Sequence, residues 1–144
     1  MTPCVLPVSV LVPGRASGKV LALAEPVSFW GGFDVETGRI VDRWHPDHGV
    51  CLTGHVLVMR SARGSSSGSS VLAEAIRLGT APAAIVLRSR DAILTMGALV
   101  AAMLYDRSCP IVAVENERDF ARVATATGHA EVEGGTGRLR LMPA

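Results

Sequence analysis

Five serines fall within the seven residues 64–70 of the stretch Arg63-Gly64-Ser65-Ser66-Ser67-Gly68-Ser69-Ser70. A serine hydroxyl acts as a base or nucleophile only if a neighbour takes its proton or its alkoxide is stabilised. A helix that starts at such a stretch supplies the second condition. Its first backbone N–H groups lack partners, its dipole adds about half a positive charge, and glycines let a ligand come close. Arg63 adds a full charge just upstream. The chemistry offered is the binding of a carboxylate or phosphate, with a serine placed to act on it. No Gly-Lys-Ser/Thr follows, so this is not a nucleotide-hydrolysing loop. No Gly-x-Ser-x-Gly elbow with a dedicated His and Asp is recognisable either. A plainer role, capping of the helix by Ser69 or Ser70, accounts for one serine and leaves four unexplained.

Other reactive residues carry weaker signals. His45 and His48 in His-Pro-Asp-His form a pair without further ligands nearby, which fits a structural or solvated role better than a metal site. Arg88 and Arg90 follow an apolar run, at the strand end where α/β proteins gather ligands, but surface charge accounts for them slightly better. Cys4, Cys51 and Cys109 are far apart and form no Cys-x-x-Cys pair, so they read as reduced thiols. No metal site is expected in this chain, and any metal cluster would take most of its ligands from another chain.

The flanking elements bear on whether the serine stretch is a site or a flexible linker. An apolar strand is predicted at residues 55–59, just before it. Directly after it, Val71, Leu72, Ala75, Ile76 and Leu78 form a stripe at helical spacing that ends at Gly79. A linker at this point would leave two fragments with poor cores. Residues 83–87 and 110–115 read as strands buried on both faces. Residues 91–105, with Asp91 as N-cap, and residues 117–128 read as helices. Earlier in the chain, strands are predicted at 8–12 and 19–25, separated by a turn in Pro-Gly-Arg-Ala-Ser-Gly. An irregular functional loop then covers 26–49, with a turn at Glu36-Thr37-Gly38-Arg39. Residues 129–142 close the chain as a hairpin. The fold class is α/β, with a β-rich flank packed on a right-handed parallel β-α-β core in one domain over residues 1–144.

The chain has 144 residues, 49% hydrophobic and 19% charged, with a formal net charge of +1. That composition suits a packed core. The scattered basic residues give no footprint for nucleic acid. No apolar run approaches the ~20 residues that cross a bilayer. Without a basic region ahead of the apolar N-terminus, a cytoplasmic location is expected.

The segment GSSSGSSVLAEAIRLGTAPAAIVLRSRDAILTMGALVA resembles the swivel domain of the aconitase superfamily, where a Gly-Ser-Ser loop opens a helix. It is most similar to aconitase X in its small-subunit form. That resemblance is carried also by GRASGKVLALAEPVSFWGGFDVETGRIVDRWHPDHG, RGSSSGS, APAAIVL and DAILTMGALVAAMLY. It implies a swivelling β/β/α domain closing over the active site of a separate large subunit that carries an iron–sulfur cluster. The implied reaction is dehydration of a small hydroxy acid, with the cluster as Lewis acid on the departing hydroxyl and Ser65 removing the proton. Gly64, Ser66 and Ser67 would form the anion-binding turn. Aconitase has an arginine after its two serines where this chain has Ser67, so Arg63 or Arg15 is expected to hold the carboxylate. The block Ser28, Phe29, Trp30, Gly31, Gly32 and Asp34 would wall the pocket or meet the large subunit. A tight turn anchored by two aromatics is the plainer reading of the same residues. The resemblance brings two substrates, cis-3-hydroxy-L-proline in bacteria and mevalonate 5-phosphate in archaea. The Ala- and Arg-rich sequence, with Lys19 as its one lysine, favours the bacterial case, with Δ1-pyrroline-2-carboxylate as the eventual product. A non-catalytic anion-binding scaffold is the alternative of another class. An isopropylmalate-isomerase-like subunit is disfavoured by the Ser-Phe-Trp-Gly-Gly block.

Overall fold

The computed structural model describes residues 4–144. Its centre is built from apolar runs with no polar face: β4 (Val56–Met59), β5 (Ala84–Leu87) and β6 (Ile111–Ala113) are buried at every position. Such strands need cover on both sides, and they lie parallel, joined by helices. Helix α2 (Gly68–Leu78) links β4 to β5, α3 (Ala92–Tyr105) links β5 to β6, and α4 (Glu117–Ala124) follows β6. The remaining elements are β1 (Cys4–Pro7), β2 (Ser9–Val12), β3 (Arg15–Ala22), the short turn α1 (Phe29–Gly32), β7 (His129–Glu133) and β8 (Arg138–Met142). The sheet order is β1-β8-β7-β3-β4-β5-β6-β2, with β3 parallel to β4 and antiparallel pairing elsewhere outside the core. The expected α/β class with a β-rich flank is what the chain forms.

Register divides the core in two. Leu57, Met59, Ile85, Leu87 and Ile111 pack with Leu72, Ala75, Ile76, Leu94, Ala98 and Ala101, so α2 and α3 cover one face. Val56, Val58, Val86 and Val112 pack on the other face with Phe120 and Val123 of α4 and with Ala130, Val132 and Leu139 of the flank. Each large aliphatic side chain buried this way contributes roughly 1.5–3 kcal/mol.

Several local expectations hold. Asp91 caps α3 by accepting the Leu94 N–H at 2.6 Å, and Gly79 ends α2 with φ 82°. Two are corrected. Residues 15–18, expected within a turn, begin β3, because Arg15 to Lys19 pair with Glu133 to His129. Helix α4 stops at Ala124 rather than reaching residue 128, since the Gly128 carbonyl accepts from Val20 N–H at 3.0 Å and already belongs to the sheet.

The long loop is held from inside by His45, which is buried. The Asp47 N–H donates to its Nδ1 at 3.0 Å, so Nε2 carries the proton and donates to the Glu25 carbonyl at 2.8 Å. With both nitrogens used, this ring serves the loop's shape. Arg88 and Arg90 are also accounted for. Glu117 accepts from both terminal nitrogens of Arg60 and from Arg88 Nε, all at 2.9 Å, and Arg90 pairs with Glu115 at 3.2 Å. Among the described residues, no helix is long and apolar enough to cross a membrane.

The Glu117 cluster has a pH signature. Hydrogen bonds from Arg60 and then Arg88 pull its carboxyl down from 4.5 to about 2. The fold therefore favours the ionised form, and the stabilisation is whole above pH 4.5 and fades as pH falls towards 2. In urea unfolding, wild type should exceed Glu117→Gln by a margin that shrinks across that window. A margin that does not change with pH would discount the cluster.

Candidate active site at the serine loop

Beyond β4 the chain runs alongside the Phe29–Gly32 turn, with Arg63 forming a parallel bridge to Ser28. Gly64 sits at φ +94°, and a Cβ there would overlap the Ser28 side chain. Ser28 Oγ in turn donates to the Trp30 carbonyl at 2.8 Å. The two blocks singled out in the sequence are thus in direct contact. Phe29 is buried against Phe33, ring centroids 5.0 Å apart, and anchors the turn. Gly31, at φ +84°, lets the chain reverse, and a Cβ added at Gly32 would lie 3.6 Å from the Val27 side chain. Trp30 faces outward, 57% exposed.

The serines form a tight turn ahead of α2. Gly68 N–H bonds to the Ser65 carbonyl at 3.0 Å and Ser69 N–H to that of Ser66 at 3.2 Å. Ser65 Oγ accepts the Ser67 N–H at 3.1 Å. The expectation that Ser69 or Ser70 caps the helix is corrected. The N-cap residue is Ser67, without a side-chain cap bond, while Ser69 and Ser70 donate back to the carbonyls of Ser66 and Ser67 at 3.1 and 2.8 Å. Ser65 is the residue whose oxygen receives an amide of the turn. A hydrogen bond of this kind favours the charged form of a hydroxyl, and the α2 dipole acts in the same sense. Ser65 and Ser66 are exposed and Ser67 is half-buried.

A cleft of about 100 Å³ opens beside this turn, lined by Arg63, Gly64, Ser65, Phe29, Asp91 and Ile93 among others. Arg63 is half-exposed and lies 4.0 Å from Glu25, a loose pairing that leaves its guanidinium open to a ligand. Arg15 is elsewhere. It opens β3, five residues before the Val20–Val56 pairing, at the sheet end opposite the serine turn, and pairs with Glu131 at 2.8 Å and Glu133 at 3.6 Å. Asp34 is also outside the cleft lining. Its carboxyl accepts from Thr37 Oγ1 at 2.7 Å and Glu36 N–H at 3.2 Å, which hold it below the usual carboxylate range and shape the turn to Gly38. The start of α3 reaches the cleft through Asp91 and Ile93, which sequence reasoning did not place there. Its signal was the strand–helix boundary at Asp91, at the same sheet end as the serine turn. The two helices touch so closely that a side chain at Gly97 would run into the Ser69 carbonyl.

The model of the aconitase X swivel domain matches residues 5–141 of this chain. The chain belongs to the aconitase X swivel-domain family. It is similar to the aconitase X of Thermococcus kodakaraensis in its holo crystal form, with TM-score 0.82 and 28% identity over 96% of this chain and 98% of that one. It is 48% identical over 109 residues to a cis-3-hydroxy-L-proline dehydratase of Pseudomonas aeruginosa, covering 76% of this chain but only 19% of the relative's length. A phosphomevalonate dehydratase small subunit of Methanothermobacter thermautotrophicus is 35% identical over 92% of this chain and 95% of its own.

The cysteines of this aconitase X swivel chain do not suit an iron–sulfur cluster. Cys4 lies in β1, Cys51 bridges Arg39 in the loop region, and Cys109 precedes β6. Among the described residues no three His, Cys, Asp or Glu side chains stand together as a metal site. Burial pushes the Cys109 thiol up to about 12, so it keeps its proton.

Proposed function

We propose that this chain is the small subunit of a hydro-lyase that dehydrates cis-3-hydroxy-L-proline, giving Δ1-pyrroline-2-carboxylate. It supplies the proton-abstracting base to an active site shared with a large subunit, which holds the iron–sulfur cluster. What carries the reading is the placement of Ser65, exposed at a cleft beside Arg63 with an amide N–H on its oxygen. A cleft of about 100 Å³ is smaller than the ~300 Å³ at which enclosing ligand sites begin, as suits half of a shared site. In this reading Arg63 takes the substrate carboxylate, and Gly64, Ser66 and Ser67 shape the turn around it. Ser65 removes the proton from the carboxylate-bearing carbon. The electrons of that C–H bond form a C=C double bond as the hydroxyl leaves the adjacent carbon as hydroxide and is protonated to water. The enamine so formed shifts its N–H proton to that adjacent carbon, giving the C=N bond of Δ1-pyrroline-2-carboxylate. The Ser67 N–H and the α2 dipole stabilise the Ser65 alkoxide until it takes the C–H proton. Phe29 walls the cleft, while Trp30 and the two glycines after it face the large subunit.

The 48% identity to a cis-3-hydroxy-L-proline dehydratase supports the substrate. The phosphomevalonate reading has its own support, a relative whose length this chain spans to 95%. The purified chain, combined with its large subunit and assayed on both compounds, should turn over cis-3-hydroxy-L-proline, and neither subunit should do so alone. Turnover of mevalonate 5-phosphate instead would replace the substrate. A stable pair inactive on both would leave a non-catalytic anion-binding scaffold.

A further inference from the structure

A surface helix normally shows one apolar stripe and one polar face. Helix α3 does not. Leu94, Gly97, Ala98 and Ala101 face the core, yet Ala92, Met96, Leu99 and Met103, spaced to share the opposite side, are exposed. Met96 is 58%, Met103 84% and Leu104 67% exposed. From Ala92 to Tyr105 there is not one charged side chain. A helix apolar all round belongs in an interior, and this one lies on the outside of the sheet.

We propose that the outer face of α3 is the docking surface for the large subunit, seated through Met96, Leu99 and Met103; this rests on the dehydratase reading above. Two observations choose that occupant. The face is continuous with the candidate site. Ile93 lines the Ser65 cleft, Met96 stands one turn further along α3, and Ser69, Ser70, Met96, Val100 and Tyr105 line an adjoining groove of about 410 Å³. A chain that completes the cleft therefore meets this stripe next. In addition, the Pseudomonas relative carries the matching region as 19% of its length, so most of that polypeptide is available to cover it. The residue types fit a protein partner, because interface cores are enriched in Met and depleted in charge. Unbranched thioether side chains also repack readily, which suits a contact that shifts as a domain swivels. The 14-residue helix spans about 21 Å at 1.5 Å per residue, too short for a bilayer core of ~30 Å, and its exposed face lacks the basic flank of a membrane-surface helix.

The test uses the full chain as wild type, Met103→Glu, Leu99→Glu and the control Val5→Glu, an exposed position on the distant edge strand β1. Affinity for the large subunit, light scattering of the chain alone, and flotation with phosphatidylcholine–phosphatidylglycerol vesicles are measured, with circular dichroism to verify folding. The expected result is a monomer that ignores vesicles and binds the large subunit, with Kd raised about 30-fold or more by either α3 substitution and unchanged by Val5→Glu. Unaltered binding by both α3 variants overturns the proposal. So does a homodimer that Met103→Glu dissolves, or vesicle binding that it abolishes. The two readings fail separately. A pair that turns over substrate yet binds Met103→Glu normally refutes only the docking face, and a pair that docks through α3 but is inactive refutes only the dehydratase.

Discussion

Ser65→Ala, assembled with its large subunit, should lose about 10²- to 10⁴-fold in kcat with little change in KM. The asymmetry follows from the site. The hydroxyl projects into the cleft and makes a single internal bond, accepting the Ser67 N–H. Its loss costs the turn a local acceptor, an effect of about 0.5–2 kcal/mol by comparison with cap serines. Helix α2 keeps the bonds from Gly68 and Ser69 to the carbonyls of Ser65 and Ser66, so folding and assembly should survive. In the proposed site the substrate carboxylate is held mainly by Arg63, which the substitution leaves in place. Arg63→Ala should show the opposite pattern, with KM raised more than kcat is lowered. Ser66→Ala controls for general disturbance of the turn and should keep most activity. Turnover by Ser65→Ala above about a tenth of wild type would remove Ser65 as the base.

Sequence and structure agree most where one physical signal dominates. The uninterrupted apolar runs at β4, β5 and β6 could only be buried strands, and the stripe from Val71 to Leu78 could only be a helix face. The position of the serine turn, between such a strand and such a helix, was therefore legible too. Arg15 to Gly18 misled because their composition is that of a turn, while their conformation is set by β7, more than a hundred residues away. The strand position at residue 18 is held by glycine because a side chain there would meet the Gly54 carbonyl, a contact that local propensity cannot register. The same reason explains Arg15. Its distance from Ser65 depends on the parallel alignment of β3 with β4, and nothing in the linear spacing reveals which sheet end an arginine occupies. The serines were misassigned as caps on a smaller scale, since the N-cap, Ser67, lies two to three residues earlier than the stripe of α2 indicates.

Gly64→Ala should be nearly as damaging to turnover as loss of Ser65, and through a different route. Two costs meet at this residue. At φ +94° a side chain is strained by about 1–3 kcal/mol whatever surrounds it. The new Cβ would also overlap Ser28 Oγ and crowd Ser28 Cβ at 2.9 Å, so the serine turn must back away from the Phe29–Gly32 turn. Together these should lower Tm by about 5–10 °C at the 2–4 °C per kcal/mol usual for chains of this size. Because Ser65 is the next residue, the displacement carries its hydroxyl off the cleft, and a shift of about 1 Å there can cost 10²-fold in rate. The double variant Gly64→Ala/Ser28→Gly separates the causes. It removes the overlap and leaves the backbone strain, so Tm should return only part of the way while kcat recovers more fully. Full recovery of Tm would show that the positive φ costs nothing, and no recovery would show that the overlap is irrelevant. Partial recovery is what a loop positioned by contact with its neighbouring turn requires, and it would tie the Ser-Phe-Trp-Gly-Gly block to the placement of the base.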